Sequence, residues 1–494
     1  MSLGLGWKLH GDGNLSGPDD VVAPDERLGW GKTVGLGAQH VVAMFGATFV
    51  FPLIMGLNPQ LAIMMSGIAT IAFLLIVQGK VPSYLGTSAS FVGGVAAIRA
   101  QPGATSARVT GAILVAGLVL ALVGLLIHFL GSGILHKVLP PVVTGAVVML
   151  IGFNLAPVVA NIYWPQDQWV ALAVMLFTII CAVAFRGFIS RIAIFLALIF
   201  GTALSWILDK TAGKITSVPG GATEATAHFR TNFASVTCKA GAKLADGSLC
   251  PDWIGFPAKT MVAADGKEVV GWHTPSFSMA AILLVLPAVI ALIAENTGHV
   301  KAVAEMTGEN LDPYMGRAIG ADGIATAFAS AFGGSPTTTY AENIGVMGAT
   351  RVYSSAAYYV AALVAILLGL CPKFGAVVNA TPGGVLGGIT VVLYGMIGLV
   401  GAKIWVENGI DFGNPVNMVG LSAGLIAGIG GVTLTFGDDF ELGGIALGTI
   451  LVIVFFHMVK GRGGDGAGAV TRNLSHPDYD EGVDDAASGG THKR

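Results

Sequence analysis

The chain has 494 residues, of which 54% are hydrophobic and only 11% charged, less than half of the roughly 25% charged share of a soluble protein. With a mean hydropathy of +0.75, no soluble packing hides so much apolar surface, and an integral membrane protein is the class that remains. A net charge of −3 excludes a nucleic-acid binder, and long unbroken apolar runs exclude the alternation of a β-barrel. The N-terminal stretch through Lys32 is polar and Gly-rich without an apolar core, so no cleaved signal peptide is expected.

Full membrane spans are expected near 36–56, 60–79, 107–130, 138–160, 168–185 and 191–208, from apolar runs of helix length. A polar loop, 209–276, separates them from a second set near 277–300, 312–333, 353–371, 383–400, 416–436 and 441–460. Two more stretches, 81–99 and 334–350, are apolar but interrupted by Gly, Pro and Ser/Thr. The total is fourteen segments in two halves of seven. The expected organisation is a cytoplasmic N-terminal tail (1–34), a first repeat (35–208), an extracytoplasmic loop (209–276), a second repeat (277–460) and a disordered cytoplasmic tail (461–494) that is acidic around Asp478–Asp485.

Lysines and arginines set the orientation. With the N-terminus inside, short cytoplasmic loops hold Lys80, Lys137, Arg186, Arg191, Lys301, Arg317, Arg351 and Lys403. Short outer loops hold only Arg99, Arg108 and Lys373, which is the positive-inside bias. An odd number of crossings per half makes the repeats inverted. The third segment of each half is the broken one, Pro82-Ser-Tyr-Leu-Gly-Thr-Ser-Ala-Ser90 and Gly333-Gly-Ser-Pro-Thr-Thr-Thr-Tyr-Ala-Glu-Asn343. Paired interruptions at matching positions point to a transporter's binding site, because non-helical backbone at membrane depth must line a cavity or be buried in protein.

No Asp or Glu occurs between Arg27 and Gln166. Within the apolar spans the acids are Glu295, Asp322 and Glu342, all in the second half. Each carries an insertion penalty of a few kcal/mol if central, so each reads as functional. Glu295 and His299 are four residues apart and share a helix face, a pairing suited to holding a proton. Glu342 and Asn343 should begin a half-helix whose exposed N–H groups favour acceptor oxygens, while an ionised carboxylate accepts from N–H donors. Together these groups describe a ligand with alternating N–H and C=O groups. His40 and Asp322 read first as supporting hydrogen-bond residues. Gly420, Gly424 and Gly428 read as helix packing. No metal-ligand pattern occurs and no cofactor is expected beyond a co-transported proton. Of four cysteines, Cys181 and Cys371 read as small packing residues. Cys238 and Cys250, in the outer loop, are expected to be disulfide-bonded.

Three ordered stretches stand out, Gln39-His-Val-Val-Ala-Met-Phe-Gly-Ala-Thr48, Val81-Pro-Ser-Tyr-Leu-Gly86 and Glu342-Asn-Ile-Gly-Val-Met-Gly-Ala-Thr-Arg351. In them the chain resembles one family, the nucleobase–ascorbate transporters, or nucleobase–cation symporters of the second type, and within it the bacterial uracil permeases. The resemblance implies an all-α polytopic protein of fourteen segments in two inverted repeats, with short β-strands in segments three and ten, divided into core and gate domains. It implies that Glu295 and Glu342 receive a base's N–H groups and that backbone N–H groups at Ala89 and Ala341 reach its carbonyls. His299 would support the proton-coupling Glu295, with His40, Ser88, Asp322, Asn343 and Tyr394 as supporting residues. A homodimer in the bacterial inner membrane is implied as well. Ala89 stands where uracil permeases usually have Phe, and Ala341 where they have Gly, which keeps thymine and xanthine open beside uracil.

The resulting expectation is a proton-coupled importer of uracil working by alternating access. A purine permease of the same family is the alternative. An anion exchanger of the same fold fits less well because two acidic groups repel an anion. An intramembrane metalloenzyme fits less well because its ligand pattern is missing.

Overall fold

The computed structural model describes residues 6–17, 20–101, 103–131, 139–185, 188–218, 224–244, 250–257, 261–262, 268–436 and 440–460. The acidic tail, Lys137 and Arg186 lie outside the described residues. The described residues are mostly helical, at 69%. Seven helices among the described residues are long and apolar enough to cross a bilayer, so this is an all-α polytopic membrane protein.

In chain order α1 (Trp30–Met55) and α2 (Pro59–Ile76) come first. Asn58 separates them and caps α2, its side chain accepting from the N–H groups of Gln60 and Leu61. Next come strand β1 (Leu85–Thr87), a 3₁₀ turn (Ala89–Phe91) and the half-length α3 (Val92–Ala100). Helices α4 (Ser106–Leu130), α5 (Pro141–Phe153), α6 (Gln168–Ala184) and α7 (Ala193–Thr211) complete the first half. The second half begins with a short helix (Met279–Val285) that continues past Pro287 as α8 (Pro287–Thr307), followed by α9 (Asp312–Ala331). Strand β2 (Thr337–Thr339) leads into the half-length α10 (Ala341–Thr350). Then follow α11 (Ser355–Gly369), α12 (Pro372–Asn379), α13 (Gly383–Glu407), α14 (Pro415–Ile429) and α15 (Gly444–Lys460).

Several boundaries differ from the hydropathy reading. Helix α1 starts at Trp30 rather than 36, because its small first turns continue the helix; a Cβ on Gly37 would strike Val360 of α11. The apolar run after 353 turns by 84° between α11 and α12 at Cys371–Pro372, where proline ends the hydrogen-bond ladder. The run near 416–436 stops at Gly430–Gly431, and Thr433–Phe436 then forms a hairpin with Phe440–Gly443.

Glycine sets the closest helix contacts. Where α4 crosses α9, a Cβ on Gly124 would lie 2.2 Å from the Gly320 nitrogen. Where α5 crosses α13, a Cβ on Gly152 would lie 2.1 Å from the Gly398 nitrogen. Lipid offers little hydrophobic drive for helices to associate, so such close backbone packing carries much of the stability. Gly424 and Gly428 of α14 meet Gly448 of α15 in the same manner.

The N-terminal segment is ordered over much of its length. Lys8–Leu9 pairs with Glu26–Arg27, and Val22 and Leu28 are buried against Val352. The Trp7 indole donates to Ser355 Oγ. In the long loop, Ile215–Ser217 pairs with Thr226–His228, and Cys238 is joined to Cys250. The Lys373 ammonium, 5% exposed, donates to the carbonyls of Val236 (2.9 Å) and Cys238 (2.7 Å). That contact seats the disulfide-closed turn on α12.

Candidate functional site: the strand crossing and its carboxylates

At the centre of the molecule β1 and β2 pair antiparallel, Leu85 opposite Thr339, Gly86 opposite Thr338 and Thr87 opposite Thr337. All six residues are buried. The local sequence explains the break. Pro82 and Pro336 stop helices, Gly333 adopts φ +84°, and three β-branched threonines favour an extended chain. Each strand feeds a half-helix, α3 or α10, whose N-terminus therefore starts inside the protein rather than at its surface.

The two half-helices begin differently. Ser88 caps the first turn before α3, its hydroxyl accepting from the Ser90 N–H at 3.3 Å. Helix α10 has Tyr340 at the capping position and no side-chain cap. The N–H groups of Ala341 and Asn343 therefore keep the unsatisfied donors and positive dipole end of a helix N-terminus, while the Glu342 carboxyl group takes its own backbone N–H. Ala341 is exposed although it sits in the interior of the chain path, Glu342 is half-buried, and Ala89 across the strand pair is half-buried. These residues border open space between the half-helices and α8.

Helix α8 presents another acid, Glu295. Glu295 and His299 are one turn apart and half-buried, and exposed Gly298 between them has nothing within 4 Å of a would-be Cβ. Glu295 lies within electrostatic reach of both Asp322 and Glu342, so three carboxyl groups share one region. The Thr338 hydroxyl is buried beside the Glu295 carboxyl group and interacts with it.

Behind them runs a buried polar network. Asp322 of α9, fully buried, accepts from Asn296 Nδ2 at 2.8 Å and from Thr337 Oγ1 at 3.3 Å. Thr339 Oγ1 meets Asn296 Oδ1 at 3.2 Å and His299 Nδ1 at 2.7 Å. On the far side of α10, Asn343 Nδ2 donates to the His40 carbonyl at 3.0 Å and lies 3.2 Å from His40 Nδ1. Tyr358 donates to the Asn343 carbonyl and its ring lies 4.3 Å from that of His40. His40 is thus behind the half-helix. Tyr394 of α13 is elsewhere: it lines a cavity of about 530 Å³ with Phe153, Trp164, Met175 and Val391, and its hydroxyl has no partner among the described residues. The structure therefore brings Glu295, His299, Asp322, Ala341, Glu342 and Asn343 around one crossing and sets Tyr394 against another space.

Asn296, Thr337 and Thr339 were not singled out by the sequence reading. The signal for the threonines was the β-branched triplet itself; for Asn296 it was its place between two polar neighbours of the same helix. Among the described residues no three His, Cys, Asp or Glu gather as a metal-binding group.

The model of a family described as Permease family matches residues 31–436. The chain is similar to RutG of Escherichia coli (strain K12), a pyrimidine permease by name, with 41% identity over 91% of this chain and 93% of that one. It is also similar to the uracil permease of Bacillus subtilis (strain 168), with 33% identity over 89% and 93%, and to that of Bacillus caldolyticus, with 32% over 90% and 95%. Two solved structures share the fold at low identity. The transmembrane domain of the cyanobacterial bicarbonate transporter BicA aligns with TM-score 0.50 and 15% identity, covering 87% of this chain and 96% of that one. Murine Slc26a9, an anion transporter in the inward-facing state, aligns with TM-score 0.57 and 12% identity, covering 86% and 68%.

Proposed function

This chain belongs to the xanthine/uracil permease family, the nucleobase–ascorbate transporters, and on that premise we propose that it is a proton-coupled symporter that imports uracil by alternating access. It is a permease and not an enzyme. The observation that carries the reading is the meeting of Glu295 and Glu342 at the uncapped start of α10. Carboxylates accept N–H donors, and the free N–H groups of Ala341 and Asn343 give to carbonyls. A pyrimidine base offers both in alternation. The names of the relatives above support a pyrimidine over an inorganic anion, although the solved structures sharing the fold include anion transporters.

In this reading Glu295 and Glu342 hold the base's N–H groups, and backbone at Ala89 and Ala341 holds its carbonyls. Glu295 carries the coupled proton with His299 in support. His40, Ser88, Asp322 and Asn343 hold the strands and half-helices in place.

The architecture belongs to the same proposal: fourteen segments in two inverted repeats, with segments one to four and eight to eleven as core and the rest as gate. Segment 4 packs on segment 9 and segment 2 on segment 11, two pairings that exchange when each number is shifted by seven. That exchange supports the repeat. We further take both termini as cytoplasmic, the membrane as the bacterial inner membrane, and the working unit as a homodimer.

A competition series tests the substrate. Unlabelled uracil, thymine, xanthine and uric acid are added in turn to cells taking up labelled uracil. Uracil is expected to compete best; a purine competing better would move the assignment to the purine branch.

A further inference from the structure

We propose that Asn296 and Thr339 are positioning residues that hold His299 in the tautomer with its hydrogen on Nδ1, leaving Nε2 as a bare acceptor. Each group along the chain has only one available role. The Asn296 amide places one terminal atom 2.9 Å from the Leu292 carbonyl and 2.8 Å from Asp322 Oδ2. A backbone carbonyl can only accept, so the atom facing it must be the amide nitrogen, whatever the state of Asp322. The amide oxygen is then the atom 3.2 Å from Thr339 Oγ1. It too can only accept, so Thr339 gives it the single hydroxyl hydrogen.

The same Thr339 oxygen lies 2.7 Å from His299 Nδ1. Having given its hydrogen to Asn296, it can only accept from the imidazole, and Nδ1 must be the protonated nitrogen. In a neutral ring the other nitrogen keeps its lone pair. Asn296 and Asp322 are fully buried and Thr339 is 2% exposed, so bulk water does not compete for these bonds. The orientation of the ring nitrogens thus follows from a carbonyl of α8 itself, transmitted through two side chains.

The consequence rests on the reading of Glu295, Glu342 and His299 as one transport site. A neutral His299 then adds a third acceptor to two acidic groups. It can receive an N–H of a ligand or the hydrogen of a neutral carboxyl group, and it cannot donate through Nε2 until it is itself protonated. The site as a whole therefore favours ligands rich in N–H donors on that side.

The test is nitrogen-15 NMR of the full chain in lipid bilayers, with histidine labelled and the His299 signal identified by its loss in His299→Gln. The wild type should show the hydrogen on Nδ1. Thr339→Val should move it to Nε2, and Thr339→Ser, which keeps the hydroxyl, should move it back. Uracil uptake should be lost with the first substitution and recovered with the second. An Nε2–H tautomer in the wild type overturns the proposal, and so does an unchanged tautomer in folded Thr339→Val. Should that variant not accumulate, the wild-type spectrum decides by itself. A tautomer switch with unchanged uptake would uphold the positioning chain and instead remove His299 from the transport site.

Discussion

Thr70 and Thr326 make the same pair of bonds in opposite halves of the chain. The Thr70 hydroxyl accepts the Leu85 N–H at 2.9 Å and lies 3.4 Å from the Leu85 carbonyl. The Thr326 hydroxyl accepts the Thr337 N–H at 3.0 Å and donates to the Thr337 carbonyl at 3.0 Å. Each strand therefore starts on a hydroxyl from the helix immediately before it, α2 or α9, where the short strand pair cannot satisfy the backbone.

Thr70→Val and Thr326→Val keep shape but leave a buried N–H without a partner, which costs about 1–3 kcal/mol each. Thr→Ser at either position should be far milder, since the hydroxyl stays. Thermal unfolding in detergent checks this. Equal stability of the valine and serine variants would show that the strands do not depend on these hydroxyls.

Glu342→Gln should weaken uracil binding by about 1–3 kcal/mol, roughly 5- to 150-fold, while the protein stays folded. The amide keeps the size of the side chain but removes the charge and turns one acceptor into a donor facing the base's N–H. Binding of labelled uracil to purified protein is the readout. Wild-type affinity in the folded variant would take Glu342 out of the site.

The long loop is held by a buried ion cluster. Arg230 Nε lies 2.7 Å from Asp167 and its Nη1 3.3 Å from Asp209, with the Arg230 side chain 12% exposed and both acids 6%. Asp209 also accepts from the backbone N–H groups of Arg230 and Thr231. Breaking such a pair by removing one partner typically costs about 3–5 kcal/mol, because the remaining charges stay buried. Arg230→Met should therefore lower the unfolding temperature and expose the 209–276 loop to protease. Replacing both acids along with the arginine should be less damaging than replacing the arginine alone.

How much of this was legible beforehand depends on what fixed each feature. Long apolar runs gave the spans, and Pro and Gly around 82–86 and 333–336 gave the two breaks, because helix propensity and lipid exclusion act locally. Glu295, His299 and Glu342 stood out because a carboxylate in an apolar span is costly. Asn296, Thr70 and Thr326 did not, since a neutral polar residue in a membrane helix is cheap and its partner lies in another segment. The 84° turn after α11 was hidden because hydropathy carries no direction. The N-terminal segment read as a tail, yet Val22, Leu28 and Trp7 pin it to the start of α11 through contacts more than 300 residues away in sequence.

That segment supplies a pH prediction. His10 Nδ1 lies 2.7 Å from Glu26 and its Nε2 3.1 Å from Asp20. The hydrogen bonds to Glu26 and then Asp20 hold the imidazole pKa above its ordinary value. A raised pKa in the folded state adds stability that is complete below the unfolded value, about 6.5, and is lost as pH rises through the folded value. Asp20, lowered first by the Ser16 N–H and then by His10, acts oppositely and loses its contribution as pH falls through its own folded value. Protection of residues 6–29 from protease, scaled to an unstructured control peptide at each pH, should therefore decline from mildly acidic to alkaline pH. His10→Gln should flatten that decline. An identical decline in the variant would assign it to another group.

The central claim, proton-coupled uracil transport through this chain, is met most directly by purified protein in liposomes loaded with labelled uracil outside and an imposed proton gradient. Uracil should accumulate inside when the outer medium is the more acidic, and a protonophore should reduce it to simple equilibration. Accumulation that ignores both the gradient and the protonophore, or no uracil entry at all, would contradict it.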